Sequence, residues 1–201
     1  MIKNLIFDIG GIIIDDGKEI MQKYFNISKE ETVKLRKIIY GSNYFSECLL
    51  GKITQNECKQ KLILENPSYK YYIEKSLNVD NQNEILPMKK EVLDLIYTLK
   101  NKYKIYFLSN LTDATYEYII KILNEFNGGI YSFKVGVKKP DSRIYEELIK
   151  KYKLEKKECI FFDDKQKNID MSNKLGILGI KFNTKEDIIN SLNKIDDITR
   201  I

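Results

Sequence analysis

Four short polar stretches in this 201-residue chain carry side chains that could do chemistry, and each follows an apolar run of strand length. The stretches are Asp8-Ile9-Gly10-Gly11, Ser109-Asn110, Lys138-Lys139 and Asp163-Asp164. Together they offer carboxylates, a hydroxyl, an amide and amines, the groups that hold a metal ion or a phosphate. The paired glycines let the backbone turn sharply and approach a ligand.

Each stretch also has an ordinary structural explanation. An aspartate before two glycines is typical of a turn, Ser-Asn and Asp-Asp commonly cap helices, and a lysine pair is usually a solvated surface. The combination is more informative than any single stretch.

Histidine is absent, which excludes imidazole acid–base catalysis, histidine-containing triads and histidine-ligated zinc. Any chemistry must therefore use carboxylate, hydroxyl, thiol or amine groups. The three cysteines, Cys48, Cys58 and Cys159, match no metal-ligand spacing and suit free thiols in a reducing cytosol.

The distribution of charge argues against a nucleic-acid partner, and the length of the apolar stretches argues against a membrane partner. The net charge is +5, but only Arg36, Arg143 and Arg200 are arginines, and lysines spread along helices favour solvation over nucleic-acid recognition. The apolar stretch at the N-terminus is too short to span a bilayer. We expect a cytoplasmic protein without a nucleic-acid or membrane partner.

The apolar runs that precede these stretches alternate with helical stripes. Stripes at three- and four-residue spacing run through Val92–Leu99, Tyr116–Leu123 and Ile144–Tyr152. Strands separated by helices need crossover connections, so the pattern predicts a doubly wound, Rossmann-like α/β fold with a mostly parallel sheet. The predicted strands are Asn4–Asp8, Lys104–Ser109, Gly129–Val135, Cys159–Asp163 and Ile177–Phe182.

One long interval has helix signals and no convincing strand. Ser28 with Glu31, and Thr54 with Glu57, form capping-box patterns, and Asp16 or Gly17 can open a first helix over Lys18–Phe25. A further helix is predicted near Tyr69–Leu77, while Asn66-Pro67 and Asn78–Asn83 read as helix breakers. We expect an α/β core of residues 1–16 and 87–201, with residues 17–86 forming a helical insert.

The carboxyl ends of parallel strands meet at one edge of a sheet, where ligands bind in open α/β folds. That edge would collect Asp8, Asp163 and Asp164, whose charges repel unless a cation lies between them. Magnesium prefers oxygen ligands, needs only one or two carboxylates and leaves positions for water and phosphate. The sequence therefore favours Mg²⁺ as the cofactor.

These four stretches, in this order, resemble the haloacid dehalogenase-like hydrolases. The resemblance runs from Lys3 to about Phe182 and rests on FDIGG, LSN, VKKPDSRIYEEL and FFDD followed by Asn168. It is closest to the capped aspartate-nucleophile phosphatases with an Asp-x-Gly-Gly first motif. The resemblance implies that the helical insert is a cap domain between the first two motifs.

The resemblance also implies the catalytic roles. Asp8 would be the nucleophile that takes the phosphoryl group, Ser109 and the Asn110 backbone N–H would bind phosphoryl oxygens, and Lys139 would neutralise charge. Lys139 is preferred to Lys138 because it directly precedes Pro140, as the lysine of the family does.

The same resemblance implies the metal ligands. They would be Asp8, the backbone carbonyl of Gly10 and Asp164, with Asp163 as a supporting or alternative ligand. Asn168 stands where a second acid is frequent, so it would support the site without charge.

The first motif departs from the pattern of most phosphatases in the family. Gly10 stands where a second aspartate usually protonates the leaving group, so the acid is missing although the carbonyl remains. Asp15 or Asp16 could replace that acid, or could simply cap the first helix.

The helical insert should set the choice of substrate, because caps of this family close over the site. Candidate substrate contacts are Tyr40, Asn43, Tyr44, Phe45 and Glu47. The aromatic members could equally be core residues of the insert at helical spacing.

We therefore expect a magnesium-dependent phosphomonoester hydrolase acting on a small phosphorylated metabolite, such as a sugar phosphate, as a monomer or weak dimer. One alternative is a catalytically weak relative that binds a phosphorylated ligand or a protein partner, which Gly10 supports. The other is a dehalogenase, which fits poorly because that branch needs no metal while this chain keeps Asp163 and Asp164.

Overall fold

The computed structural model describes residues 1–15 and 18–198. Its strands form one parallel five-stranded sheet in the order β3-β2-β1-β4-β5. The strands are β1 (Asn4–Phe7), β2 (Lys104–Ser109), β3 (Gly128–Tyr131), β4 (Cys159–Asp163) and β5 (Leu178–Lys181). The predicted α/β fold with a parallel sheet is confirmed.

Helices follow or separate the strands throughout the described part of the chain. They are α1 (Lys18–Phe25), α2 (Lys29–Tyr40), α3 (Asn43–Leu49), α4 (Gln55–Glu65), α5 (Lys70–Ser76), α6 (Gln82–Ile85), α7 (Lys90–Leu99), α8 (Asp113–Leu123), α9 (Ser132–Val135), α10 (Ser142–Tyr152), α11 (Gln166–Lys174) and α12 (Lys185–Ile198). Short 3₁₀ turns lie at Pro67–Tyr69, Val79–Asn81 and Lys156–Glu158. The three predicted helical stripes are confirmed as α7, α8 and α10.

The sheet is buried on both faces, as helices on either side require. Side chains alternate along β1, so that Leu5 and Phe7 join one buried cluster while Ile6 joins the other. The first cluster includes residues of α7, α8 and α12, and the second includes residues of α10 and α11. This arrangement is the doubly wound layering that the sequence predicts.

A third buried cluster lies within the helical insert. It is built from residues of α1, α2, α3, α4 and α5 together with Leu77. Thr54 and Glu57 form the predicted reciprocal capping box at the start of α4. Ser28 accepts from the backbone N–H of Glu31, whose carboxylate accepts from the Tyr69 hydroxyl. The boundaries drawn at residues 16/17 and 86/87 stay a prediction.

The chain leaves β1 and returns to α7 along two neighbouring paths. Ile14 bridges both Gly10 and Met88, the Asp15 N–H donates to the Pro87 carbonyl, and the Lys89 N–H donates to the Ile13 carbonyl. The two connections to the helical insert are therefore hydrogen-bonded to each other.

Some predicted boundaries are wrong. The third strand ends at Tyr131 rather than Val135, because the Ser132 hydroxyl accepts from the Leu111 N–H and the chain turns into α9. The breaker expected at Asn78–Asn83 contains a 3₁₀ turn and the start of α6. The sequence analysis also missed α3, which Ser42 caps by accepting from the Phe45 N–H.

Cys48, Cys58 and Cys159 are free thiols, as predicted, and all three are buried. The helix start predicted at Asp16 or Gly17 lies outside the described residues. Within the described residues, every helix is too short or too polar to cross a membrane.

Candidate active site

The strand register places Asp8 beside Asp163 at the carboxyl edge of the sheet. Phe7 pairs with Phe162 across β1 and β4, and their rings stack with centroids 5.0 Å apart, so the next residue on each strand is an aspartate beside the other. The sheet order reverses at β1, which has β2 on one side and β4 on the other. The two carboxylates therefore lie at the switch point where open α/β sheets bind ligands.

Asp8 is 4% exposed and is held by donors on one of its oxygens. Its Oδ1 accepts from the Ser109 hydroxyl at 2.6 Å, from the Ile9 N–H at 2.7 Å and from the Lys139 ammonium at 2.8 Å. These contacts fix the carboxylate in one orientation.

The environment of Asp8 keeps it ionised. Burial raises the pKa of this carboxyl, but the charges of Lys139 and Lys165 and the hydrogen bonds from Lys139 and Ser109 outweigh burial and hold the pKa below its ordinary value. An ionised carboxylate is the form that can attack phosphorus.

Lys139 joins the two aspartates. Its ammonium is 2.8 Å from Asp8 Oδ1 and 2.6 Å from Asp163 Oδ2, and its side chain is only 1% exposed. The Asn110 side chain holds the lysine backbone on both sides, accepting from the Lys139 N–H at 2.8 Å and donating to the Lys139 carbonyl at 3.1 Å. Asn110 therefore positions the lysine through its amide side chain.

Asp163 is fully buried and saturated with donors. Besides Lys139, it accepts from the Lys165 N–H at 2.8 Å and from Asn168 Nδ2 at 2.9 Å on each oxygen. Burial and the charge of Asp8 raise the pKa of Asp163, while Lys139 opposes the rise. Asp163 thus serves chiefly to hold Lys139 and Asn168.

The third carboxylate, Asp164, has an Oδ1 atom that accepts no hydrogen bond from the described residues, although the Lys165 ammonium lies 3.4 Å from it. Asp8, Asp163 and Asp164 each place a carboxylate oxygen within 4.8 Å of the other two. The buried Oδ1 atoms of Asp164 and Asn168 have no hydrogen-bond partner. A hard cation with its water ligands would satisfy such oxygens, so the donor set fits Mg²⁺.

Gly11 makes room for Asp164. It has a left-handed φ of +80°, and a Cβ at this position would lie 2.8 Å from Cγ of Asp164. Glycine is therefore required both by the backbone and by the close approach of the carboxylate.

A cavity of about 400 Å³ opens above Asp8 and is walled on the other side by the helical insert. Its lining from the α/β side includes Gly10, Ser109, Asn110, Lys139 and Asn168, with Lys138, Lys165 and Lys167 among its cations. Its lining from the insert includes Arg36, Tyr40, Phe45, Leu49 and Gln55. The structure thus brings most of the predicted catalytic residues to one cavity.

The predicted substrate contacts in the helical insert divide into two groups. Tyr40 and Phe45 line the cavity, with ring centroids 5.0 Å apart. Tyr44 lies elsewhere, because its hydroxyl donates to Glu65 and Lys61 covers its ring. Its position gives no support to the substrate contact expected of it.

Asp15, one of the two predicted replacements for the missing leaving-group acid, lies in the connection from β1 to the helical insert, where its backbone N–H donates to the Pro87 carbonyl. Asp16, the other, lies outside the described residues. The left-handed backbone belongs to Gly11 and not to Gly10.

Sequence reasoning missed the contacts that join the helical insert to the α/β core. The Gln55 N–H donates to Asp113 at 2.9 Å, and the Gln55 side chain accepts from the Thr112 hydroxyl. Lys138 donates to the Ser46 hydroxyl at 2.6 Å. No local pattern signals such pairs, because their members are more than 50 residues apart.

The sheet is doubly wound, and its switch point holds a buried aspartate, lysine and serine with an aspartate pair beside them. These features define a class of hydrolytic α/β enzymes, and the family within that class follows from a comparison of sequences. The chain belongs to the haloacid dehalogenase-like hydrolase family, whose model matches residues 2–176.

Individual relatives agree with this membership. The chain is 26% identical over 194 residues to D-ribitol-5-phosphate phosphatase of Bacteroides thetaiotaomicron, covering 88% of this chain and 89% of that protein. Its structure resembles a haloacid dehalogenase family enzyme of the same organism in complex with magnesium and inorganic phosphate, with a TM-score of 0.72, 22% identity and coverage of 91% and 95%. It also resembles a haloacid dehalogenase-like hydrolase from Porphyromonas gingivalis, with a TM-score of 0.69, 20% identity and coverage of 97% and 98%.

Proposed function

We propose that this hydrolase is a magnesium-dependent phosphatase that acts on a small phosphorylated metabolite through an aspartyl-phosphate on Asp8. The observation that carries the proposal is the placement of Asp8 at the floor of the cavity, ionised and held by Ser109 and Lys139. D-Ribitol-5-phosphate phosphatase, the relative described above, supports a sugar or polyol phosphate as the substrate class.

In the first step, a carboxylate oxygen of Asp8 attacks phosphorus and the ester P–O bond breaks, so that its electron pair leaves with the substrate oxygen. Ser109 donates a hydrogen bond to a phosphoryl oxygen, and the Lys139 ammonium offsets charge on the phosphoryl group. The departing oxygen takes a proton from water, because Gly10 supplies no acid. A second water molecule then attacks phosphorus of the aspartyl-phosphate, and the bond between phosphorus and the Asp8 oxygen breaks. This step releases phosphate, returns a proton to solvent and restores the Asp8 carboxylate.

Asp8, Asp164 and the Gly10 carbonyl would hold Mg²⁺, with Asn168 and Asp163 supporting them. When bound, the ion supplies positive charge that stabilises the phosphoryl group in the transition state. Asp164 is preferred to Asp163 as the principal ligand, because the oxygens of Asp163 already accept from Lys139, Asn168 and the Lys165 N–H.

The helical insert, residues 17–86, would act as a cap. Tyr40 and Phe45 would meet the substrate outside its phosphoryl group and exclude water from Asp8. A 400 Å³ cavity suits a metabolite rather than a polymer. We further expect a monomer or weak dimer in the cytoplasm, which size-exclusion chromatography and cell fractionation would test.

Gly10 favours a second candidate, a weak enzyme that mainly binds a phosphorylated ligand, since the usual leaving-group acid is absent there. A panel of phosphorylated sugars and polyols, including ribitol 5-phosphate, separates the two. Phosphate release that needs Mg²⁺ supports the phosphatase. A ligand-dependent rise in melting temperature without phosphate release would support the binding protein instead.

A further inference from the structure

We call Asp8, Ser109 and Lys139, with the neighbouring Asp163 and Asp164, the floor of the cavity. Two further lysines line the cavity next to this floor. Lys138 directly precedes Lys139, and Lys167 directly precedes Asn168, and both lysines line the cavity. Lys139 and Asn168 meet at Asp163, which lies 2.6 Å from the Lys139 ammonium and 2.9 Å from Asn168 Nδ2. The two lysines therefore lie beside the phosphate-binding floor.

The three carboxylates of the site already have other lysines beside them. Lys139 is paired with Asp8 and Asp163, and Lys165 lies 3.4 Å from Asp164. Across residues 1–15 and 18–198, neither Lys138 nor Lys167 forms an ion pair with a carboxylate. Lys138 is half-buried, and its hydrogen bond goes to the neutral hydroxyl of Ser46.

The two ammonium groups also oppose each other. Burial, and then the charge of Lys167, lower the pKa of Lys138. An anion placed between two cations at one cavity wall relieves their mutual repulsion. A phosphoryl group held at Asp8 by Ser109 and Lys139 leaves this pair unmatched.

We propose that Lys138 and Lys167 form a subsite for a second anionic group of the substrate, with the Ser46 hydroxyl next to Lys138. This inference rests on the proposed phosphatase function and narrows its substrate class. Among sugar and polyol phosphates, the preferred substrate would carry a second anionic group, as a phosphorylated sugar acid or a sugar bisphosphate does. Lysine ammonium groups bind either a carboxylate or a phosphate at such a subsite.

The test compares substrates that differ by one anionic group, at constant ionic strength and saturating Mg²⁺. One pair is 6-phosphogluconate against sorbitol 6-phosphate, and the other is fructose 1,6-bisphosphate against fructose 6-phosphate. We expect kcat/KM to be about tenfold higher for the anionic member of at least one pair, mainly through a lower KM. The first pair reports on a carboxylate and the second on a phosphate.

Lys167→Gln and Lys138→Gln should each lower that preference about threefold, and the double variant should remove it. Lys174→Gln is the matched control, because Lys174 is an exposed lysine on the same helix α11. Melting temperatures establish that each variant is folded, and exposed Lys167 carries the test if Lys138→Gln is unstable.

Three results would overturn the inference while leaving the phosphatase intact. They are equal or lower kcat/KM for the anionic member of both pairs, a preference that neither variant changes, and an equal loss for neutral and anionic substrates. The last would make Lys138 a tether to Ser46 only. Failure to hydrolyse any ester, p-nitrophenyl phosphate included, would instead overturn the proposed function and the inference with it.

Discussion

At the scale of single residues, the site balances three carboxylates against very few cations within its floor. Lys139 contacts two of them, Asp8 and Asp163, whereas Asp164 pairs with Lys165, at 3.4 Å, and its Oδ1 atom accepts no hydrogen bond within the described part of the chain. We infer from this difference that the three aspartates have different roles. Asp8 would react, Asp163 would hold Lys139 and Asn168, and Asp164 would bind the metal ion.

Asp8→Asn should abolish phosphate release while the fold remains. The amide has the same shape, but it cannot form the aspartyl-phosphate, so we expect kcat to fall by more than about 10³-fold. Circular dichroism and a phosphate-release assay measure the two effects. Asp170→Asn, which changes an exposed aspartate on α11, is the control. Residual turnover within tenfold of the original rate would contradict the nucleophile assignment.

Asp164→Asn should raise the Mg²⁺ concentration needed for half-maximal rate, because the change removes a formal ligand charge. The rise in melting temperature on adding Mg²⁺ without substrate should shrink in parallel, which gives a measurement independent of turnover. An unchanged dependence on Mg²⁺ in both assays would place the metal elsewhere.

Gly10 predicts a preference among leaving groups. Without an acid at this position, aryl phosphates should be hydrolysed about 10²-fold faster than alkyl phosphates, because aryl oxides depart without protonation. Gly10→Asp should raise the alkyl rate selectively, and the backbone at Gly10 is not in the left-handed region that would strain an aspartate. Equal aryl and alkyl rates in the unaltered protein would point to another donor, such as Asp15 or Asp16.

At the scale of elements, the turn after β1 depends on Gly11. Gly11→Ala would place a methyl group 2.8 Å from Asp164 Cγ on a left-handed backbone, which costs about 1–2 kcal/mol in strain alone. Gly176→Ala is the matched control, because Gly176 has a φ of +82° and open space around it. Both variants should lower the melting temperature, whereas only Gly11→Ala should raise the Mg²⁺ requirement. The same Mg²⁺ dependence in both variants would contradict the close-approach argument.

The elements that carry the site were predictable because their signals are local. Short apolar runs indicated β1, β2 and β4, and the carboxyl ends of parallel strands meet at one edge. The end of β3 was predicted too late, because the apolar residues of the run Gly129–Val135 continue past the point where Ser132 bonds to Leu111. Helix α3 gave little signal, since its short sequence has no clear stripe.

Contacts between distant elements were beyond local patterns. The Asn110 amide that holds the Lys139 backbone, and the Asn168 amide that holds Asp163, appear only when strands are placed side by side. A sequence alone gives the residue types at strand ends but not which side-chain atom faces which partner.

At the scale of the whole molecule, the helical insert meets the α/β core at a buried polar contact. Gln55 is 4% exposed and accepts from Thr112, which is 2% exposed, while Asp113 accepts from the Gln55 N–H. Such a contact fixes the position of the insert over the cavity.

Gln55→Leu should loosen that contact, because it leaves the Leu77 carbonyl without the Gln55 donor and the Thr112 hydroxyl with Thr115 in place of Gln55. We expect the free energy of unfolding to fall by about 1–3 kcal/mol and KM to rise several-fold. Chemical denaturation and steady-state kinetics measure these effects, with Gln166→Leu on the exposed face of α11 as control. A variant with unchanged stability and KM would show that the insert is held by other contacts.

The paired connections at Ile13–Asp15 and Pro87–Lys89 have an evolutionary consequence. Because the chain leaves and rejoins the sheet at adjacent, hydrogen-bonded points, we expect the strand order and register to survive a change in the length of chain between them. The intervening helices should therefore be exchangeable in evolution without displacement of Asp8. Chimeras that join this sheet to the helices of a relative at those points offer a direct route to new substrate ranges on an unchanged reaction centre.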